Sequence, residues 1–184
     1  MFLVDDSYHI GNRWAAIKRS LAQFAFLATQ YDVDGIDLAF IHSEVKYTGV
    51  TSTQLQELMA KIYAMSLANE ESDSSNALSM SLDCHLSEYT RKYKERMDRG
   101  LTQKYLNLIV LTSGDPGYLD DFDDQVIDYA RTFDNMNAPK FQLGIQFALI
   151  QCSPEDQERF KRLDDQEHVR YTARLCTSDP VTGS

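Results

Sequence analysis

Leu106-Asn107-Leu108-Ile109-Val110-Leu111, running into Thr112-Ser113-Gly114-Asp115-Pro116-Gly117, is the stretch that decides the fold. The first six residues form an apolar run of strand length, closed by a Gly/Pro turn. A short run without polar alternation reads as a strand covered on both faces, the situation of a parallel sheet between helices. Beyond the turn the period changes. Leu119, Phe122, Val126, Tyr129 and Phe133 recur at spacings of three and four, one face of a helix. Residues 141–150 read as the next strand. Ser153-Pro154-Glu155-Asp156 then gives a helix start, with a serine cap, proline in the first turn and acid behind it, and Phe160 and Leu163 supply its buried side. Residues 170–176 offer a last strand, and 178–184 a frayed tail.

The same alternation extends toward the N-terminus. Phe2-Leu3-Val4 reads as a short buried strand that delivers Asp5-Asp6-Ser7 at its C-terminal end. Trp14, Ile17, Leu21, Phe24, Ala28 and Tyr31 lie at helical spacing, and the turn Tyr31-Asp32-Val33-Asp34-Gly35 leads into a strand over 36–41. A short edge strand is expected at 45–47. Helices are expected on Leu55, Leu58, Met59 and Ile62 and on Leu78, Leu82, Leu86, Tyr89 and Tyr93, with a polar loop at 69–75 between them. The expectation is one α/β domain over 1–177, with a doubly wound, mostly parallel sheet and helices on both faces. No internal repeat and no low-complexity tract interrupts it.

Composition limits the function. The formal net charge is −10, a field that repels phosphate backbones, so nucleic acid is not an expected partner. No apolar run approaches the ~20 residues of a membrane span, and no secretory signal pattern opens the chain, so a cytoplasmic protein is expected. Three dispersed cysteines, Cys84, Cys152 and Cys176, read as reduced thiols, with burial expected for the first two. The cluster Asp120, Asp121, Asp123 and Asp124 reads as a solvated helix N-terminus. In an open sheet of this kind ligands bind beyond the C-terminal ends of the strands, where the strand order reverses. That points to the loops after Val4 and after Leu111, which face each other if those strands are neighbours.

The loop residues also carry a resemblance. Phe2-Leu3-Val4-Asp5-Asp6-Ser7, with Arg13-Trp14 after it, resembles the opening of a von Willebrand factor type A domain. The nearest pattern is the intracellular type common in fungal genomes, F-L-V-D-D-S-G-S-M with R-W shortly after. The segments at 31–38, 108–114, 141–147 and 163–165 are similar to that group's later strands and turns, so the resemblance spans Phe2 to Asp165. It implies a Rossmann-like fold, a non-enzymatic protein-binding role and a Mg²⁺ adhesion site completed by an acidic side chain of the partner. Such a site needs near-octahedral oxygen ligands: D-x-S-x-S in the first loop, a Thr in a second loop and an Asp after the fourth strand. Here Asp5 and Ser7 match. The second Ser is His9, a poor ligand for a hard cation. The Thr position falls at Asn76, which offers a carbonyl oxygen, and the late Asp is Ser113, with Asp115 two residues on. The resemblance therefore implies a degenerate set of Asp5, Ser7, Asn76, Ser113 and Asp115 that holds Mg²⁺ weakly or not at all, beside a partner-facing loop of Asp6, Tyr8 and His9. The family has several residues before F-L-V, whereas Met1 abuts it here.

Other chemistries find less in the residues. There is no G-x-x-x-x-G-K-[ST] loop, no G-x-G-x-x-G and no G-x-S-x-G turn. His9 with Asp5 or Asp115 would suit Zn²⁺, but a single loop histidine is usually just solvated. Two rivals to the interaction module stay open: a metal-dependent hydrolase using Asp5 and Asp115, and a domain that folds but binds nothing.

Overall fold

The computed structural model describes residues 1–68, 76–114, 120–164 and 174–176. In chain order the elements are β1 (Phe2–Val4), α1 (Trp14–Tyr31), β2 (Ile36–Phe40), β3 (Lys46–Val50), α2 (Leu55–Ala64), α3 (Ala77–Asp98), β4 (Leu106–Thr112), α4 (Asp120–Asn135), β5 (Leu143–Ile150), α5 (Pro154–Asp164) and β6 (Arg174–Cys176). A 3-10 turn over Tyr8–Arg13 joins β1 to α1.

The six strands form one sheet in the order β3-β2-β1-β4-β5-β6. Every pairing is parallel except β2 with β3, which is antiparallel. The chain winds outward from β1 to one edge, returns to β4 beside β1, and winds outward to the other edge. The protein is thus an α/β protein of the doubly wound class, and the β1–β4 seam is its switch point.

The apolar pattern sorts the helices onto two faces. Phe2, Val4, Leu38 and Phe40 pack with Ile17 and Leu21 of α1 and Leu58 and Ile62 of α2. Leu3, Leu108, Val110 and Phe147 pack with Leu82 and Leu86 of α3, Phe122 and Val126 of α4 and Phe160 of α5. Both faces of the central strands are therefore covered, which is why β1 and residues 108–111 of β4 read as continuous apolar runs. Fully burying each such side chain contributes ~1.5–3 kcal/mol. No helix among the described residues is long and apolar enough to cross a membrane.

Several expectations shift in detail. The edge strand is longer than 45–47, running Lys46–Val50, and it bulges, because Thr48 and Gly49 together oppose Asp37. The later strand starts at Leu143 and leaves Phe141 exposed. Tyr31, expected on the buried stripe of α1, is exposed at its last turn. Cys84 is exposed, contrary to the burial expected for it, because Leu82 and Leu86 take the inward positions of α3; Cys152 is partly buried. Ser153 caps α5 as expected: its hydroxyl accepts the Asp156 N–H at 3.1 Å and donates to the Asp156 carboxylate at 2.6 Å. The aspartate cluster lies at the start of α4, also as expected. The loop at 69–75 and the tail at 178–184, with Leu119 and the side chain of Leu163, lie outside the described residues.

Candidate functional site

The register of the switch point places its polar residues. Leu3 pairs with Val110 and Val4 with Leu111. Side chains alternate along a strand. Leu3 and Val110 face the α3–α4 layer, so Asp5 and Thr112, two residues on, fall on that side as neighbours. The Asp5 N–H continues the ladder to the Leu111 carbonyl at 2.9 Å. The Thr112 hydroxyl donates to Asp5 Oδ2 at 2.7 Å, and the Ser7 N–H donates to Asp5 Oδ1 at 3.1 Å. Thr112 Oγ1 in turn accepts the Gly114 N–H at 3.2 Å. Burial pushes the Asp5 carboxyl above its ordinary pKa, while the bonds from Thr112 and Ser7 pull it partly back. The crevice therefore holds a desolvated carboxylate bonded by neutral donors, with His42 acting on it through space, an arrangement that a cation would stabilise further.

Asp6 behaves differently from its neighbour. Expected in the partner-facing loop, it is instead fully buried. Its Oδ1 accepts the His42 N–H at 2.8 Å, and its Oδ2 accepts the Ser43 N–H at 3.1 Å and the Ser43 hydroxyl. Its carbonyl accepts the Ala68 N–H at 2.9 Å. Asp6 is thus a junction between the ends of β1 and β2 and the segment after α2. Its carboxylate points into the protein.

The other expected residues fall around these two acids. Ser7 leads the 3-10 turn, its carbonyl accepting the Ile10 N–H at 3.2 Å. Tyr8 is half exposed and His9 exposed, their rings edge to face 6.1 Å apart. Arg13 pins this loop by donating to the His9 and Ile10 carbonyls at 3.0 and 3.3 Å, and Trp14 Nε1 ties α1 to the Met65 carbonyl at 3.1 Å. The Arg13-Trp14 pair thus has a structural use. Ser113 is buried directly after Thr112. Asn76 is exposed at the start of α3, where its carbonyl accepts the Met80 N–H at 2.9 Å. Its neighbour Ala77 lines a cleft of about 490 Å³ with His42, Ser43 and His85, so this helix start opens onto the β2 end that Asp6 holds. Asp115 lies outside the described residues. The structure thus brings together Asp5 and Ser7, buries Ser113 one residue beyond Thr112, and leaves Asn76 exposed next to Ala77, which lines an adjoining cleft.

Sequence reasoning misses Thr112 and Ser43. Each is a small hydroxyl residue at a strand end, where threonine and serine serve equally as strand and turn formers. Gly114 reads in the sequence only as a turn residue. A Cβ there would come within 2.8 Å of the Asp156 carboxylate, so the capped start of α5 sits against the loop after β4. As a Mg²⁺ site the described set supplies one carboxylate and a few neutral oxygens. Those residues fit an ion that keeps most of its water. Among the described residues, no group of three histidine, cysteine, aspartate or glutamate side chains is arranged to hold a metal. No model of a protein family matches this chain, and no curated protein matches it.

Proposed function

We propose that this chain is a non-enzymatic protein-interaction module of the von Willebrand factor type A kind, meeting its partner at the C-terminal end of the sheet through a weak, degenerate cation site. The observation that carries the reading is the Asp5 carboxylate. It is buried at the β1–β4 seam, bonded by Thr112 and Ser7. A buried carboxylate held by neutral donors, with only His42 acting on it through space among the described residues, is compensated poorly, and a divalent ion whose open position takes an acidic side chain from a partner would compensate it. Tyr8 and His9 stand exposed beside it, where a partner would touch them.

The rival hydrolase needs Asp115 as its second acid, which lies outside the described residues; Asp6, with a donor on each oxygen, does not replace it.

The test is thermal unfolding of the whole chain in Mg²⁺, Mn²⁺ or EDTA, for wild type and Asp5→Asn. An ion at 100 times its dissociation constant adds ~2.7 kcal/mol of stability. The expected result is a rise in melting temperature with Mg²⁺ or Mn²⁺ that is absent in Asp5→Asn. A rise that persists in Asp5→Asn moves the ion elsewhere, and no rise in either protein removes the cation from the reading. Phosphoester hydrolysis abolished by EDTA overturns the non-enzymatic assignment itself.

A further inference from the structure

A second surface lies at the opposite flank of β2, away from the seam. β3 is an edge strand, and among the described residues its only strand neighbour is β2. The ladder fixes which of its backbone groups are open. The Ile41 N–H donates to the Val4 carbonyl, so Ala39 and Ile41 direct their backbone groups to β1, and Leu38 beside Ala39 directs its own toward β3. Tyr47, the register partner of Leu38, therefore turns its N–H and C=O inward, and Lys46 and Thr48 turn theirs outward. Gly49, at the bulge, has its N–H taken by the Asp37 carboxylate at 2.9 Å.

Beside this open edge runs a groove of about 310 Å³ between β3 and α2. Val50 and Leu58 give it an apolar floor, and Lys46 and the Lys61–Glu57 pair (2.8 Å) stand along it. Lys61 is neutralised by Glu57. Lys46 makes no direct ion pair among the described residues, in a chain of net charge −10, and its charge reaches Glu88 only through space. Open N–H and C=O groups on an extended edge are satisfied by another extended backbone, with alternate side chains entering the adjoining groove.

We propose that β3 and α2 form a docking groove for an extended peptide segment of a partner protein, which adds as a further strand beside β3, inserts an apolar side chain over Val50 and Leu58, and sets an acidic residue against Lys46. The bulge at Thr48 and Gly49 confines the pairing to the Lys46–Thr48 half of the strand, so the added strand is short.

The probe is a random peptide library of about 12 residues, ~40 Å when extended, displayed on phage and panned on the whole chain. The enriched peptide is then synthesised and added to the free protein. Expected is enrichment of acidic, apolar sequences, with slowed hydrogen exchange at the Lys46 and Thr48 amides on peptide binding. Thr48→Pro removes one outward N–H without removing a β2–β3 bond, and should weaken the peptide about tenfold, the worth of one such bond. Lys46→Glu should remove the preference for acidic sequences. If Thr48→Pro fails to fold, amide protection in the wild type still decides. The proposal is overturned if no sequence enriches, or if a bound peptide leaves both amides exchanging as before. It is also overturned if the amides are protected without peptide and in proportion to protein concentration, which would make the occupant a second copy.

Discussion

Asp5 and Asp6 are adjacent in sequence, and both are buried, but they respond oppositely to loss of charge. Asp6 accepts backbone N–H groups from His42 and Ser43 on separate oxygens. Asp6→Asn places an amide NH₂ against one of those donors and should cost about 2 kcal/mol in urea unfolding. Asp5 faces the Ser7 N–H and the hydroxyls of Ser7 and Thr112, and a hydroxyl can accept as well as donate. Its burial raises the folded-state pKa above the unfolded value. The folded chain then binds the proton more tightly between those two values. The stability that Asp5 contributes is fully present below its unfolded pKa, is lost as pH rises through the folded pKa, and becomes a net cost at neutral pH. Asp5→Asn should therefore raise the metal-free melting temperature at pH 7 and remove that part of its decline with pH. A lower melting temperature in Asp5→Asn would contradict the reading of Asp5 as a destabilising buried charge. Both acids are legible in the sequence as the end of a strand. The difference between them is not, because the donors that bury Asp6 come from 36 and 37 residues away.

At the level of elements, the hairpin from β2 to β3 depends on two glycines in contact. Gly35 has φ +83° and Gly49 φ +61°, and a Cβ on Gly35 would lie 2.5 Å from the Gly49 carbonyl carbon. Gly35→Ala thus combines left-handed backbone strain with overpacking against main chain, which cannot move aside as a side-chain tip can. The expected loss is about 2–4 kcal/mol, read by thermal or urea unfolding. A loss below ~1 kcal/mol would mean that β3 shifts freely on β2. This contact also explains what is legible. Apolar runs and stripes at period three to four mark nearly every strand and helix, because burial imposes those patterns directly. The full length of β3 is not legible. Lys46–Val50 is mostly exposed, and its course is set by the Gly35–Gly49 approach and by Asp37 holding the Gly49 N–H, neither of which leaves an apolar pattern. Thr112 is hidden for a related reason: its role exists only once β4 lies beside β1.

For the molecule as a whole, acid outweighs base by ten charges. Ion pairs such as Lys104 with Asp32 and Asp34, at 2.8 and 3.2 Å, lie on the surface, and exposed pairs of this kind contribute little. Self-repulsion should then dominate the response to salt. Raising NaCl from about 0.01 M to 0.15 M shortens the screening length from ~30 Å to ~8 Å and should raise the melting temperature; a fall would show that the surface pairs matter more than the net charge.

The topology carries a consequence for the order of assembly. β1 is the innermost strand at the seam, yet its partner β4 arrives more than a hundred residues later: the Thr112 bond to Asp5 spans 107 positions, and the Met1 amino group bonds the Asn107 carbonyl across 106. At the ~5–20 residues per second of synthesis, the first strand waits roughly 5–20 s with one flank open. Until β4 docks, the crevice has neither its threonine nor its second wall. The seam crevice is thus completed only after β4 is made, and a nascent chain stopped before Leu106 would carry Asp5 without Thr112 beside it.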